Sequence, residues 1–259
     1  MEQAPPITTD PRKRLATIAK GALYLVVCGA IIRIVEVWLN NPMSGAVIGA
    51  AIVSVLVGRA GLDSAPLNRE RWAHMAKLAL QGAAPIVAVA VIAIAIGEAS
   101  VRTSPPGPSM LFGTVESLGL AYRDELWLHG LILLFAKRAA IPPRWAVLYA
   151  TVASAAAIVG VAGTTAAGLV LTAGASLWLA SLWQTRGDAW LPVAAHFGWA
   201  WMATTILSGD PFDLNIQRHV LPYGPSASGW MAWAAAACFF GFGLKSLSRL
   251  DEDWTQWPA

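Results

Sequence analysis

Eight apolar runs, each close to the length a helix needs to cross a bilayer, constrain this chain of 259 residues more than any other feature. A hydrocarbon core of ~30 Å takes about 20 apolar residues at ~1.5 Å per residue. By that ruler the runs fall at residues 19–39, 43–58, 77–97, 112–136, 144–163, 165–184, 189–207 and 226–244. Backbone N–H and C=O groups find no water at that depth, so each run predicts a helix. The expected fold class is therefore all-α, a polytopic membrane helix bundle of about eight transmembrane helices. Composition agrees: 56% of residues are hydrophobic and 13% charged, against about a quarter charged in a soluble domain. That balance excludes a soluble enzyme, a nucleic-acid binder and a disordered chain.

The formal charge of +3 reports orientation rather than a nucleic-acid partner. With the N-terminus cytoplasmic, 14 of the 18 lysines and arginines collect on the inner side, from Arg12 to Arg249. Arg102 and Arg218 alone fall outside, while Arg33 and Arg123 lie within spans. This asymmetry predicts both termini in the cytoplasm and a multi-pass protein of the cell inner membrane. The first run contains Arg33 and Glu36 and no small-x-small cleavage site follows it, so it is expected to be a retained anchor. Residues 1–18 are expected to form a cytoplasmic tail, 19–249 a single membrane domain and 250–259 a short C-terminal tail. Residues 98–111 and 208–225 form the two long outer loops. Cys28 and Cys238 both lie in apolar runs, which predicts no disulfide framework.

Ionisable groups within spans are costly, and they are usually paired or functional. Arg33 and Glu36 stand three apart on one helix face and can neutralise each other. The segment Tyr122-Arg123-Asp124-Glu125-Leu126-Trp127-Leu128-His129-Gly130 carries four ionisable groups within seven residues, too many for one neutralising pair. Glu125 and His129 share a face, whereas Asp124 points about 100° away. One carboxylate can thus be held by an imidazole while the other meets a different partner. His196, in Trp190-Leu191-Pro192-Val193-Ala194-Ala195-His196, lies eight residues beyond Asp188. His129 lies eight residues before Lys137, a rise of about 12 Å in both cases. The two imidazoles should therefore sit at one depth, toward the cytoplasmic half.

Asp124-Glu125-Leu126-Trp127-Leu128-His129-Gly130 resembles the Glu-Glu-x-x-x-Arg-Gly motif of the CAAX-protease and bacteriocin-processing (CPBP) family of glutamate-type intramembrane proteases. His196 resembles the histidine of that family's last motif, His-x-x-x-Asn/Asp, and the likeness spans residues 112–207. The Arg-Asp-Glu-Leu opening is similar to the myxosortase-like branch. The resemblance implies an intramembrane endopeptidase that cleaves a membrane-associated or C-terminal sorting-tail substrate with a carboxylate- and histidine-activated water. Asp124 would take the general-base position, Glu125 that of the structural carboxylate, His129 that of the arginine and His196 that of the oxyanion donor. Two departures stand out. Ala200 occupies the Asn/Asp position, and residues 149–157 carry no histidine where Phe-x-x-x-His is expected.

Two readings follow. In the first, His129 supplies the missing imidazole from its own helix; in the second, the chain is a catalytically inactive relative acting as membrane scaffold, chaperone or immunity factor. A small proton-coupled carrier is the third class, because intramembrane carboxylates and histidines also relay protons. Ser154, Thr164 and Thr165 could donate a hydrogen bond in place of the absent histidine. Hydroxyls in spans usually bond their own helix backbone, however, and no catalytic role is assigned to these three. No cofactor and no metal are expected. The expected partners are the bilayer and a membrane protein or lipidated peptide substrate, not nucleic acid.

Overall fold

A computed structural model describes residues 10–62, 67–159, 161, 163–208, 211–216 and 221–250. The expectations for the acidic C-terminal tail and for Arg218 fall outside them. The chain is mostly helical. The first helices start where Asp or Asn precedes Pro or a charged turn: α1 (Pro11–Leu39), α2 (Pro42–Arg59) and α3 (Arg69–Ala95). The side chains of Asp10, Asn41 and Asn68 accept the free amides of Arg12, Ser44 and Arg71 at 2.9, 3.0 and 2.9 Å, which satisfies donors that lack a helical partner. Proline at the first helical position of α1 and α2 loses nothing, because its missing N–H would have been an orphan. Capping explains why α1 begins at Pro11, well before the apolar run at 19. The segment expected as a tail is thus helical from residue 11 onward.

The remaining helices are α4 (Pro108–Asp124), α5 (Leu131–Arg138), α6 (Pro143–Ile158), α7 (Ala166–Arg186), α8 (Trp190–Trp201) and α9 (Gly229–Leu247). A π-helical segment, Glu125–Gly130, joins α4 to α5, and a second, Met202–Ile206, extends α8. Helices α1, α3, α7 and α9 are long and apolar enough to cross a membrane, and α2 is a shorter apolar helix. By those four helices the chain is a membrane protein.

The two segments expected as plain outer loops pair instead. Strand β1 (Ala99–Thr103) lies antiparallel to β2 (Phe212–Ile216), with Ala99 opposite Ile216 and Thr103 opposite Phe212. Val101 faces Leu214 and Arg102 faces Asp213 in this register. Apolar and opposite-charge cross-strand pairs of this kind favour a short ribbon.

The bundle is tightest where small residues let backbones touch. Helix α7 packs along α9, α3 along α8 and α2 along α4. At the α3–α8 crossing a side chain on Gly82 would overlap the Ala195 carbonyl, and one on Gly198 would overlap the Ala79 carbonyl. Such reciprocal glycine contacts replace the hydrophobic driving force that helices lack in lipid. They fix the height and rotation of α8, and therefore of His196.

Candidate active site

The π-helical segment at Glu125–Gly130 interrupts a long rod, a distortion frequently found at functional sites. It is held on both sides. The Trp127 indole donates to the Leu25 carbonyl of α1 at 2.9 Å, and Gly130 packs against the Trp183 ring of α7. Arg123 consequently faces α1 and α2, while Glu125 and His129 face α6, α7 and α8.

Glu125 has no exposed surface and is the centre of a closed polar cluster. His129 Nδ1 meets its Oε2 at 2.9 Å, and the Trp183 indole donates to the same oxygen at 3.0 Å. His196 Nδ1 meets Oε1, also at 2.9 Å. The imidazoles from two separate helices thus meet on one carboxylate, as equal depth requires. Burying a lone carboxylate in an apolar bundle is costly, and three donors are what compensates it here. His196 is further positioned by the Trp199 ring stacked against it at 5.4 Å, and Trp199 in turn donates to the Pro222 carbonyl at 2.8 Å. The far side of His129 reaches α6, where its Nε2 lies 3.3 Å from Ser154 Oγ.

Asp124 lies outside this cluster. Its Oδ1 accepts from Arg123 Nε at 2.7 Å, and Arg123 Nη1 donates to Glu36 Oε1 at 2.7 Å. Glu36 also holds Arg33 at 3.2 Å, so a chain of four alternating charges runs from α4 to the outer surface of α1. Of the four residues singled out by the sequence, the structure brings Glu125, His129 and His196 together and sets Asp124 apart with Arg123. Ala200, in the last-motif position, is buried and supplies no side-chain donor.

Ser154, Trp183 and Glu36 carry contacts that their sequence context does not mark as catalytic. Ser154 stands in the segment where the resemblance places a histidine, which is the one signal in the sequence that points to it. Trp183 reads as packing in any apolar run, and Glu36 had an obvious local partner in Arg33.

Both Nδ1 atoms contact the carboxylate directly instead of converging with it on a common point. That is a hydrogen-bonded arrangement and not a ligand set. No group of three or more His, Cys, Asp or Glu among the described residues is arranged to hold a metal ion. A separate cleft of about 190 Å³ opens at the lysine- and arginine-rich end of α3 and α8, lined by Arg71, His74, Asp188 and Leu191. There Asp188 accepts from the Trp190 amide at 3.0 Å, at the start of α8, and pairs with Arg71 at 3.3 Å.

No family model, no curated protein and no solved structure matches the chain. A carboxylate that orients an imidazole, with a second imidazole beside it and a hydroxyl beyond, is equipped to move a proton to or from an attacking hydroxyl group.

Proposed function

We propose that this protein is an intramembrane endopeptidase of the cell inner membrane, multi-pass, with both termini cytoplasmic. The observation that carries the reading is the convergence of His129 and His196 on the fully buried Glu125 within an apolar bundle. With Glu125 ionised, the carboxylate has no proton to give, so each imidazole donates through Nδ1 and keeps Nε2 for chemistry. His129 then acts as the base on the attacking hydroxyl. One proton shared between the imidazoles makes the cluster neutral, which suits a site away from water. His196, when it carries that proton, is the donor for the developing oxyanion. The Arg123–Asp124 pair favours Glu125 over Asp124 as the carboxylate that serves the imidazoles. A centre at this depth suits a scissile bond in or beside a membrane segment. The likeness to the CPBP motifs points to the same reaction class, and peptide hydrolysis consumes one water.

The second reading is a non-catalytic membrane scaffold. It draws on the full occupancy of both Glu125 oxygens and on Ala200 where the resemblance requires a donor. Comparing protein N-termini in membranes from cells expressing wild type, Glu125→Gln or Asp124→Asn separates the two. Endopeptidase activity predicts new termini at or near apolar segments with the wild type. These disappear with Glu125→Gln and persist with Asp124→Asn. The converse pattern would return the base to Asp124. If no terminus depends on the wild type, the scaffold takes over.

A further inference from the structure

The hydrolytic reading leaves unnamed the hydroxyl that attacks. We propose that it belongs to Ser154, so that Glu125, His129 and Ser154 form a serine-type triad inside the bundle. This inference rests on the endopeptidase reading and identifies its nucleophile. Three observations carry it.

The first is the order of contacts. Glu125 Oε2 holds His129 Nδ1 at 2.9 Å, and His129 Nε2 faces Ser154 Oγ at 3.3 Å. The carboxylate fixes the tautomer with the proton on Nδ1, which leaves Nε2 a bare acceptor and makes the Ser154 hydroxyl the donor. Nucleophile, base and orienting carboxylate in that sequence define such a triad by geometry and role, whatever the fold. A nucleophile–base contact slightly longer than an ideal hydrogen bond is usual where no substrate compresses it.

The second is that Ser154 does not bond its own helix backbone, as several other helix hydroxyls of this bundle do; Ser54 and Ser117 also reach across, but to the Tyr122, Thr204 and Thr205 hydroxyls rather than to a base. Thr151, one turn earlier on the same helix, donates to the Val147 carbonyl at 2.9 Å. Thr114, Ser181 and Thr204 likewise donate four residues back, to Met110, Leu177 and Ala200, at 2.7, 2.7 and 2.8 Å. That is the default for a hydroxyl in an apolar helix. Ser154, which is buried, is directed at the imidazole of another helix instead.

The third is that the base cannot swing away. Its carboxylate is itself held by the Trp183 indole at 3.0 Å and by His196 at 2.9 Å. A preorganised base needs no rearrangement at the moment of reaction.

The chemistry balances. Ser154 Oγ bonds to the scissile carbonyl carbon while its proton passes to His129 Nε2. The C–N bond then breaks, and the leaving amine takes that proton, which gives an acyl ester on Oγ. A water attacks the ester, passes a proton to Nε2 and restores the Ser154 hydroxyl, releasing the carboxylic acid. Glu125 stays ionised throughout and stabilises the transient imidazolium.

The test uses the full chain in membranes, treated with diisopropyl fluorophosphate, which forms a P–O bond to an activated serine and releases fluoride. Peptide mass spectrometry should locate the adduct on Ser154 in the wild type and find none in Ser154→Ala. It should persist in Ser181→Ala, whose hydroxyl only bonds its own helix. Ser154→Ala should lower the wild-type-dependent cleavage on the order of 10³-fold or more, the scale of losing a triad member. If a water attacked directly, the substitution would remove one hydrogen bond and cost about five-fold. Cleavage within that margin overturns the proposal while leaving the endopeptidase reading intact. So does a wild type that cleaves without an adduct on Ser154. Where the wild type cleaves nothing, the endopeptidase reading falls and the adduct alone decides the nucleophile. Should Ser154→Ala fail to fold, Ser154→Cys serves. Its alkylation at position 154 by N-ethylmaleimide should slow at least about ten-fold when Glu125→Gln is added, because a thiol reacts as its thiolate and needs the oriented base. An unchanged rate overturns the triad.

Discussion

Asp124 and Glu125 are neighbours in the chain with the same functional group and opposite surroundings. Asp124 is partly exposed and belongs to a strip of paired charges that runs through Arg123 and Glu36 to Arg33 on the face of α1. Glu125 is sealed and belongs to a cluster of aromatic and imidazole donors from α7, α8 and its own helix. The first set is made of full charges that cancel along the helix surfaces. The second is made of one charge surrounded by groups that can gain or lose a proton. The difference shows how a bundle can carry two carboxylates side by side: one is spent on holding helices together, and the other is kept dry and in contact with bases. Substitutions that strike one set and spare the other measure how separate the two are.

The largest effect should come from the α3–α8 crossing. Gly198→Ala places a methyl group where the Ala79 carbonyl stands, so α8 must shift and carry His196 off Glu125. Overpacking against backbone is expected to cost about 3 kcal/mol or more in reversible unfolding, because no flexible side chain can yield. Cleavage should be lost as well. The Arg123–Asp124 pair lies away from this crossing and should keep its spacing, which double-mutant coupling between the two residues would register. An unfolding midpoint equal to wild type would mean that the helices are not in backbone contact.

Glu125→Gln comes next. The carboxamide keeps the shape but offers one accepting oxygen where two are used, and its NH2 faces a donor. At least one buried N–H loses its partner, a cost of about 2–3 kcal/mol. Asp124→Asn is expected to cost less than Glu125→Gln, because the buried Arg123 retains Glu36 and the carboxamide oxygen can still accept from its Nε. Equal costs would erase the distinction between the two carboxylates.

Much of this architecture was legible in the chain, and the exceptions have physical causes. The apolar runs mark helices because a backbone in hydrocarbon has no other way to satisfy itself, and counting from Lys137 and Asp188 brings His129 and His196 to one height. The choice between Asp124 and Glu125 was not legible. A helical wheel separates them by about 100° but does not say which face turns inward. That depends on Arg123 finding Glu36 across α2 and on the π-helical turn, neither of which leaves a mark in periodicity. Ser154 is not marked in the sequence because the rule for hydroxyls in apolar helices holds for Thr151, Ser181 and Thr204 and gives way only where a polar partner on another helix competes, as it also does at Ser54 and Ser117. The ribbon of β1 and β2 depends on pairing across more than a hundred residues, which no local pattern encodes.

Trp183→Phe tests how firmly the carboxylate must be held to orient the base it serves. Phenylalanine keeps most of the packing but removes the indole donor, while Oε2 retains His129. A loss of about 1–2 kcal/mol is expected, from one hydrogen bond and a small gap. Cleavage should fall in kcat more than in KM, because the change loosens the orientation of the base without touching a substrate contact. A pure KM effect would instead put Trp183 in the substrate groove.

Arg33→Ala should do least. Arg33 is 71% exposed and reaches Glu36 at 3.2 Å, but Glu36 remains held by Arg123 at 2.7 Å once Arg33 is gone. An exposed pair contributes little, and a long side chain near a helix end can carry its charge to the interface whether or not it has a partner. The expected change is below about 0.5 kcal/mol in either direction, measured by unfolding in detergent, with cleavage unaltered. A loss of about 2 kcal/mol or more would mean that Arg33 is buried against something in the membrane, since only a desolvated charge pair is worth that much. The outer face of α1, with Val37 and Trp38 exposed beside Arg33, would then be a contact surface, and the strip of charges would be as buried as the cluster around Glu125.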